Sequence, residues 1–261
     1  MRKAVLCRRG VPPTPAGGNA AGMEQLQWLA VVRHGQSTGN VTAQDAETAG
    51  VEEIDIPERD ADVPLSDLGR EQAKAVGAVL AEASPQVVVV SPYLRTRQTA
   101  ELALAGLDVP MVVDERLRDR ELGVLDLLTA YGVQQRLPGE AARRARHGKF
   151  YYRPPGGESW ADVLLRLRAL LRELREDHPG GRVVLVAHEA VVLLVRYLAE
   201  GLSEAELMEI AHRTTVANCS ISSWRREGGE LRPELFNSVD HLHAEGTAPT
   251  RQEDVDDKPV R

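Results

Sequence analysis

The sequence has little cysteine, little lysine and no long apolar run. Its 261 residues include two cysteines, Cys7 and Cys219. They are too few for a disulfide framework or a four-thiolate zinc site, and their scarcity fits a reducing compartment. No apolar stretch approaches the roughly 20 residues that a membrane span needs. The first apolar patch, residues 4–7, is too short for a secretory signal. We therefore expect a cytoplasmic protein that does not bind membranes.

The charge balance is acidic, and the basic residues are almost all arginine. The formal net charge of −7 argues against a nucleic-acid partner. Only four of the 32 basic residues are lysines. Arginine suits bidentate contact with phosphate or carboxylate, although most of these side chains must be solvated surface. With 43% hydrophobic and 27% charged residues, the composition is that of an ordinary globular protein.

The chain divides into one domain between two tails. Residues 1–22 carry four bases, no acid and a Pro/Gly/Ala stretch without periodicity, which predicts a disordered tail. Residues 240–261 hold six acids and few apolar residues, so a second, acidic disordered tail is predicted there. Residues 23–239 are the predicted folded domain.

Short β-branched runs alternate with helical patterns inside that domain. Near-continuous apolar runs predict strands buried on both faces at 28–32, 87–90, 111–113 and 183–187. Amphipathic patterns predict helices over 67–83, 93–105, 160–176 and 190–201. The alternation predicts an α/β fold whose mostly parallel central sheet has helices on both faces. An edge hairpin is predicted over 220–225 and 234–237, and a small helical subdomain over 126–153 at the carboxyl ends of the strands.

Basic and imidazole side chains follow several of the predicted strands. Arg33 and His34 end the first strand, Arg95 lies one turn into the helix after the second, and His188 follows the fourth. Ligands of open α/β sheets bind at the carboxyl ends of strands, so these side chains can converge there. Together with the helix N-termini they would form a phosphate pocket. A neutral histidine in such a pocket is a competent nucleophile for phosphoryl transfer.

A leaving alkoxide needs a proton, so a carboxylic acid should stand near the pocket. The candidates are Asp119 and Glu121, which lie among three arginines just past the third predicted strand. The competing interpretation of this segment is a solvated ion-pair surface. No cofactor and no metal ion is expected, because arginine and histidine supply the positive charge.

Four ordered motifs resemble those of the histidine phosphatase superfamily, which contains the phosphoglycerate mutases. They are RHGQSTGN at 33–40, LSDLGREQA at 65–73, SPYLRTRQTAE at 91–101 and HEAV at 188–191. The likeness covers essentially all of residues 23–239, which would be the catalytic domain. KFYYRPPGGES at 149–159, together with the last motif, is most similar to the fructose-2,6-bisphosphatase branch.

The resemblance implies roles for the matching residues. His34 would be the phosphorylated nucleophile, with Arg33, Arg95 and His188 around the transferred phosphoryl group. Asp119, four residues before Gly123, takes the position of the proton donor, and Glu121 would support it. The candidates for substrate binding are Asn40, Gln36, Ser37, Tyr152, Arg153 and Glu189.

The sequence departs from the family pattern at four positions, of which Gly156 bears on the substrate and the other three leave a weak binding module open. Gln36 replaces the usual glutamate, Asp119 is shorter than the usual donor, and Glu189 puts a carboxylate beside the second histidine. Gly156 stands where the sugar bisphosphatases have a substrate-binding lysine. The predicted function is hydrolysis of a small phosphorylated metabolite, a sugar monophosphate foremost, through phosphohistidine. The alternatives are phosphoglycerate mutase-type transfer and a catalytically weak module that binds a phosphorylated ligand.

One competing motif is present at the second cysteine. Residues 219–225 fit the C-x5-R loop of cysteine-dependent phosphatases. That chemistry needs a loop that feeds a helix N-terminus, whereas this segment alternates like an edge strand and leads into a Gly-Gly turn. Cys219 is therefore predicted to be non-catalytic.

Overall fold

Six strands form one mixed sheet in the computed structural model, which describes residues 26–252. Their bounds are β1 Trp28–Arg33, β2 Val87–Val90, β3 Met111–Val113, β4 Arg182–Ala187, β5 Ile221–Glu227 and β6 Glu230–Ser238. The spatial order is β3-β2-β4-β1-β5-β6. The first four strands pair in parallel, and β5 pairs antiparallel with both β1 and β6. The mostly parallel α/β sheet and the edge hairpin predicted from the sequence are confirmed.

Helices cover both faces of this sheet, as predicted. They are α1 Thr38–Ala49, α2 Asp67–Ala83, α3 Leu94–Ala103, α4 Ala130–Arg136, α5 Pro138–Tyr151, α6 Trp160–Asp177, α7 Glu189–Glu200, α8 Glu204–Arg213 and α9 Asp240–Ala244. Side chains alternate along a strand, so Leu29 and Val31 pack with α6, α7 and α8, while Ala30 and Val32 pack with α2, α3 and α9. Between residues 26 and 252, none of the helices is both long and apolar enough to cross a membrane.

The start and the buried face of α6 follow directly from its sequence. Ser159 Oγ accepts from the Asp162 backbone N–H at 3.1 Å, and the Ser159 N–H donates to the Asp162 carboxylate at 2.8 Å. This reciprocal pair satisfies donors that a helix N-terminus leaves free. Val163, Leu167 and Leu170 are fully buried on one face. Truncating such a leucine to alanine costs about 2–5 kcal/mol of unfolding free energy.

The predicted burial of the third strand is wrong. Met111, Val112 and Val113 in β3 are 37–49% exposed. The reason is topological: β3 is an edge strand whose pairing partner is β2 alone, which an apolar run by itself does not reveal.

The predicted tail from residue 240 is also wrong for residues 240–252. They begin with α9, whose Leu242 is fully buried against the core, and continue along the sheet to hydrogen bonds with Gln72 and Asn218. The acidic composition conceals one apolar anchor in a short helix. Residues 1–22 and 253–261, for which the sequence also predicts tails, lie outside the described residues.

Residues 126–153 form the predicted helical segment. It contains α4 and α5, and a small core of its own joins Leu125, Leu128, Val133, Ala141 and Tyr152. Two further helices, α1 and α8, were not predicted. For α1 the reason is composition, since its TGNVT start is a poor helix former that depends on the Ser37 capping box.

Candidate active site

The side chains at the carboxyl ends of three neighbouring parallel strands meet at one cavity of about 510 Å³. Arg33 is the last residue of β1 and His34 follows it, while Arg95 lies in the first turn of α3 after β2. His188 caps the N-terminus of α7 after β4. All four side chains are buried, and the His34 and His188 rings are 5.3 Å apart. The structure thus brings together the four residues that the sequence placed in a phosphate pocket.

The loop that carries His34 is pressed onto the start of α2 through two glycines. A Cβ on Gly35 would lie 2.5 Å from the Gly69 carbonyl oxygen, and a Cβ on Gly69 would overlap the Gln36 carbonyl. The Gln36 N–H donates to Gln72 Oε1 at 2.9 Å, and Ser66 Oγ donates to Gln36 Oε1 at 2.8 Å. Gln36 therefore holds the loop in place, and its side chain does not line the cavity.

The hydrogen bonding of His34 leaves its outer ring nitrogen with a lone pair. Nδ1 lies 2.7 Å from the Gly35 carbonyl oxygen, which can only accept, so Nδ1 carries the hydrogen in the neutral ring. Burial, followed by the positive charges of Arg95, His188 and Arg33, holds the pKa of His34 well below its usual value. At neutral pH the imidazole is uncharged, and Nε2 is the nucleophilic atom.

Asp119 lies between His188 and Arg95. Its Oδ2 is 3.2 Å from His188 Nδ1 and 3.1 Å from Arg95 Nη2. Burial alone would raise the pKa of Asp119, but the neighbouring His188 and Arg95 outweigh it and hold that pKa well below its usual range. Burial lowers the pKa of His188 despite Asp119, so Arg95 is the permanent charge that keeps the carboxylate ionised at neutral pH. In the free protein the negatively charged group between the His188 ring and the Arg95 guanidinium is therefore the Asp119 carboxylate.

Glu189 holds the Arg33 side chain in place. The two side chains approach to 3.3 Å and are both buried, and Glu189 Oε1 also accepts from the Val216 N–H at 2.8 Å. Arg33 Nη1 donates to the Val216 carbonyl. Within residues 26–252, Arg33 Nε is buried without a hydrogen-bond partner. A phosphoryl oxygen would satisfy this donor, whereas Glu189 contacts Arg33 rather than standing free to bind a ligand.

Three other predicted site residues line the same cavity. Ser37 caps α1, and its N–H donates to Asn40 Oδ1 at 3.0 Å. The Asn218 amide donates to the same Asn40 oxygen and to the His34 carbonyl, so it links Asn40 to the loop of His34. Glu121 is exposed at the cavity surface, where its Oε1 accepts from the Tyr93 hydroxyl at 3.3 Å. Of the two candidate acids, Asp119 is therefore the one beside the histidines.

Tyr152 and Arg153, predicted to bind substrate, do not line the cavity. Tyr152 is 2% exposed, and its hydroxyl donates to Glu140 Oε2 at 3.0 Å. Burial, followed by the hydrogen bond to that carboxylate, raises the pKa of Tyr152 to about 12. The Arg153 side chain is two-thirds exposed and donates to the Gly157 carbonyl at 3.0 Å. Of residues 149–153, which begin the segment similar to the fructose-2,6-bisphosphatase branch, only Lys149 lines the cavity.

Sequence reasoning missed several groups that fix the four central side chains. Asp60 Oδ1 accepts from Arg95 Nη1 at 2.8 Å, and Ser91 Oγ lies 2.8 Å from His188 Nε2. The Asn218 amide donates to the His34 carbonyl at 3.1 Å. Ser91 carries a signal, since it ends a strand next to those of His34 and His188. Asp60 begins a single-turn 3-10 helix and Asn218 lies in a turn, and neither segment shows a sequence pattern.

The C-x5-R segment does not form a phosphate loop. Cys219 is fully buried, burial raises the pKa of its thiol, and residues 221–227 form strand β5. The Cys219 N–H donates to the Arg33 carbonyl at 3.0 Å, so this residue supports the loop of His34 from the backbone.

Comparisons with known proteins identify the family of this chain. The family model described as histidine phosphatase superfamily (branch 1) matches residues 29–239. Glucosyl-3-phosphoglycerate phosphatase of Mycobacterium tuberculosis is 31% identical over 214 residues, or 78% of this chain and 86% of that protein. The 6-phosphofructo-2-kinase/fructose-2,6-bisphosphatase of Gallus gallus is 31% identical over 175 residues, or 66% of this chain and 33% of that protein. A solved structure of the mycobacterial phosphatase complexed with VO3 aligns at a TM-score of 0.67 with 29% identity, covering 82% of this chain and all of that one. The predicted similarity to the fructose-2,6-bisphosphatase branch is present. The alignment with glucosyl-3-phosphoglycerate phosphatase covers more of this chain, 78% against 66%.

Proposed function

We propose, from the premise that this chain belongs to branch 1 of the histidine phosphatase superfamily, that it hydrolyses phosphomonoesters through a phosphohistidine on His34. The observation that carries the proposal is the neutral His34 imidazole beside two buried guanidiniums and a second histidine. A neutral imidazole can attack phosphorus, and guanidiniums match the charge that develops on the equatorial oxygens.

In the first step the Nε2 lone pair of His34 attacks phosphorus in line with the leaving oxygen. The N–P bond forms, the P–O bond to the alcohol breaks, and Asp119 gives its proton to the leaving oxygen. Asp119 is ionised in the free protein, so it must take up a proton when substrate binds. A phosphoryl dianion that draws the Arg95 guanidinium to its own oxygens supplies the reason, because it weakens the contact that holds the pKa of Asp119 low.

In the second step water attacks the phosphohistidine. The carboxylate of Asp119 takes a proton from the water, an O–P bond forms and the N–P bond breaks, which returns neutral His34 and inorganic phosphate. Arg33 and His188 hold the phosphoryl oxygens through both steps. Glu121 is too exposed to replace Asp119 in this cycle, and we give it no proton transfer.

The proposed substrate is a small phosphorylated metabolite, a sugar phosphate such as glucosyl-3-phosphoglycerate foremost. A cavity of about 510 Å³ is of the size that small-molecule sites have. The mycobacterial relative named for that substrate matches over most of both chains. We further propose that the reaction takes place in the cytoplasm and needs no metal ion, since Arg33 and Arg95 supply the positive charge.

The test is phosphate release by the full chain from p-nitrophenyl phosphate and from a panel of phosphorylated metabolites that includes glucosyl-3-phosphoglycerate. We expect turnover in both assays, unchanged by EDTA. An acid-labile, alkali-stable phosphoryl label on the protein after a rapid quench would support the intermediate. No phosphate from any member of the panel would contradict the proposal, and activity that EDTA abolishes would contradict its metal-free form.

A further inference from the structure

The last residues that the structure describes form a strap that reaches the active-site cavity. We define the C-terminal strap as residues 248–252. Gln72 Nε2 donates to the Ala248 carbonyl at 2.9 Å, and the Asn218 N–H donates to the Thr250 carbonyl at 2.9 Å. The Thr250 hydroxyl returns a hydrogen bond to Asn218 Oδ1 at 2.9 Å. Because Asn218 also binds the His34 carbonyl, the strap is tied to the loop of the nucleophile.

Arg251 lies between two anchored residues of this strap. Thr250 precedes it, and the carbonyl of Gln252 accepts from Arg33 Nη2 at 3.4 Å. Both Arg251 and Gln252 line the cavity with Arg33 and His34. The backbone of Arg251 is thus held beside Arg33, while its side chain is exposed and lines the cavity.

Among the cations that line the cavity, Arg33, Arg95 and Arg120 are committed to protein acceptors. Arg33 contacts Glu189 at 3.3 Å, Arg95 contacts Asp60 and Asp119, and Arg120 Nε donates to the Glu158 carbonyl at 2.6 Å.

Lys149 lies over the Trp160 ring at 4.6 Å. Arg251 differs from these cations, since its guanidinium makes no ion pair or hydrogen bond within residues 26–252. Its donors are available to a ligand.

An anionic ligand group is favoured at Arg251, because the rest of the lining is rich in acids. Seven carboxylates line the cavity against five cationic side chains. Glu58, Asp60 and Asp126 are three of these acids, and burial together with the charge of Asp60 raises the pKa of Asp126. A ligand carboxylate placed near these acids would be repelled. A guanidinium pairs with a carboxylate through two parallel hydrogen bonds, which is a close match for one ligand group of that shape.

We propose that Arg251 binds a carboxylate on the part of the substrate remote from the transferred phosphoryl group. The inference rests on the proposed phosphatase function and deepens it, since it assigns to one residue of this chain the recognition of a carboxylate on the substrate. Arg251 would determine specificity and take no part in bond making or breaking.

The test compares two substrates that differ at one group. 3-Phosphoglycerate has a carboxylate where glycerol 3-phosphate has a hydroxymethyl group. The full chain carrying Arg251→Ala should lose roughly tenfold or more of its preference for 3-phosphoglycerate, measured as the ratio of the two kcat/KM values, mainly through KM. Arg251→Lys, which keeps the charge without the fork, should fall between. Arg153→Ala is the matched control, because Arg153 is an exposed arginine outside the cavity, and its ratio should equal that of the unmodified protein.

Each outcome decides a different statement. If the unmodified chain turns over both substrates and Arg251→Ala leaves their ratio unchanged, or if the unmodified chain shows no preference for the carboxylate, the assignment of Arg251 is overturned while the phosphatase remains. If the unmodified chain releases phosphate from neither substrate nor from p-nitrophenyl phosphate, the proposed function itself fails and the assignment falls with it. Thermal unfolding midpoints show whether the two arginine variants retain the fold.

Discussion

The inner end of the cavity and its outer wall are built in different ways. The inner end consists of Arg33, His34, Arg95, His188 and Asp119. The first four lie at strand ends or in the first turn of α3, and Asp119 lies in the segment after β3, where Arg95 and His188 contact it. The outer wall consists of Ile54, Ile56, Glu58 and residues 126–128, which lie outside the helices and strands and mix apolar with acidic side chains. Leu127 in this wall is 38% exposed, whereas the inner histidines are at most 3% exposed. The difference separates two tasks: the inner end is rigid enough for chemistry, and the wall is free to vary with the substrate.

The largest effect expected at the inner end is that of His34→Ala. Without the nucleophilic Nε2, kcat for p-nitrophenyl phosphate should fall by roughly 10⁴-fold or more, and no acid-labile phosphoprotein should form. Cys219→Ser is the control, because its buried thiol has a raised pKa and should leave kcat near the unmodified value. Full activity in the His34 variant would remove the inner end from the chemistry altogether.

Asp119→Asn should show a smaller and substrate-dependent loss. An amide cannot protonate the leaving oxygen, so kcat for glycerol 3-phosphate should fall by about 10²- to 10⁴-fold. The loss should be smaller for p-nitrophenyl phosphate, whose leaving group is already acidic. Glu121→Gln tests the neighbouring acid on the cavity surface, and it should behave like the unmodified protein on both substrates. The reverse pattern would exchange the roles of the two acids.

The inner histidines also predict how stability depends on pH. The pKa of buried His34 is lowered, so below about pH 6.5 the unfolded chain binds a proton that the folded chain excludes. The free energy of unfolding should therefore fall by up to about 1.4 kcal/mol for this residue between pH 7.5 and pH 5.5. His34→Gln should remove that part of the decrease in urea unfolding at the two pH values. A decrease of the same size in the variant would show that His34 is not the proton-linked group. Asp119 contributes no change here, because its depressed pKa matters only below about pH 4.

The smallest effect belongs to the outer wall. Glu58→Gln removes an exposed carboxylate from the wall and should lower KM for 3-phosphoglycerate by about twofold, since exposed charge pairs contribute little. The value of kcat should not change. Glu227→Gln, at an exposed acid outside the cavity, should leave KM as it is. A large change in kcat for Glu58→Gln would contradict the division between an inner end that carries the chemistry and an outer wall that selects the substrate.

The same division explains which parts of the site the sequence could predict. Strand ends can be predicted from sequence, because β-branched runs such as 87–90 locate a strand within a residue or two. In a parallel sheet the residues just after each strand lie at the same edge. This reasoning locates Arg33, His34, Arg95 and His188, and the family motifs then single out Asp119.

The residues of the outer wall cannot be predicted in this way, because their position depends on how loops fold over the sheet. Tyr152 has the composition of a ligand-binding residue and is instead buried against Glu140. Arg251 lies in a segment whose composition predicts a disordered tail, although α9 and Thr250 anchor it. In each case the deciding contact joins residues far apart in the chain or in an irregular loop, where no periodicity operates.

The contact between Gly35 and Gly69 has a consequence for how this protein tolerates change. Since any side chain at Gly69 would meet the backbone of Gln36, the position admits one amino acid although it would touch no substrate. In a library of random variants selected for growth or turnover, position 69 should be as depleted of substitutions as the nucleophile itself. Gly139, around which a Cβ would meet open space and whose φ is not positive, gives the contrast. Selection for activity should therefore constrain Gly69 in α2 as tightly as it constrains His34.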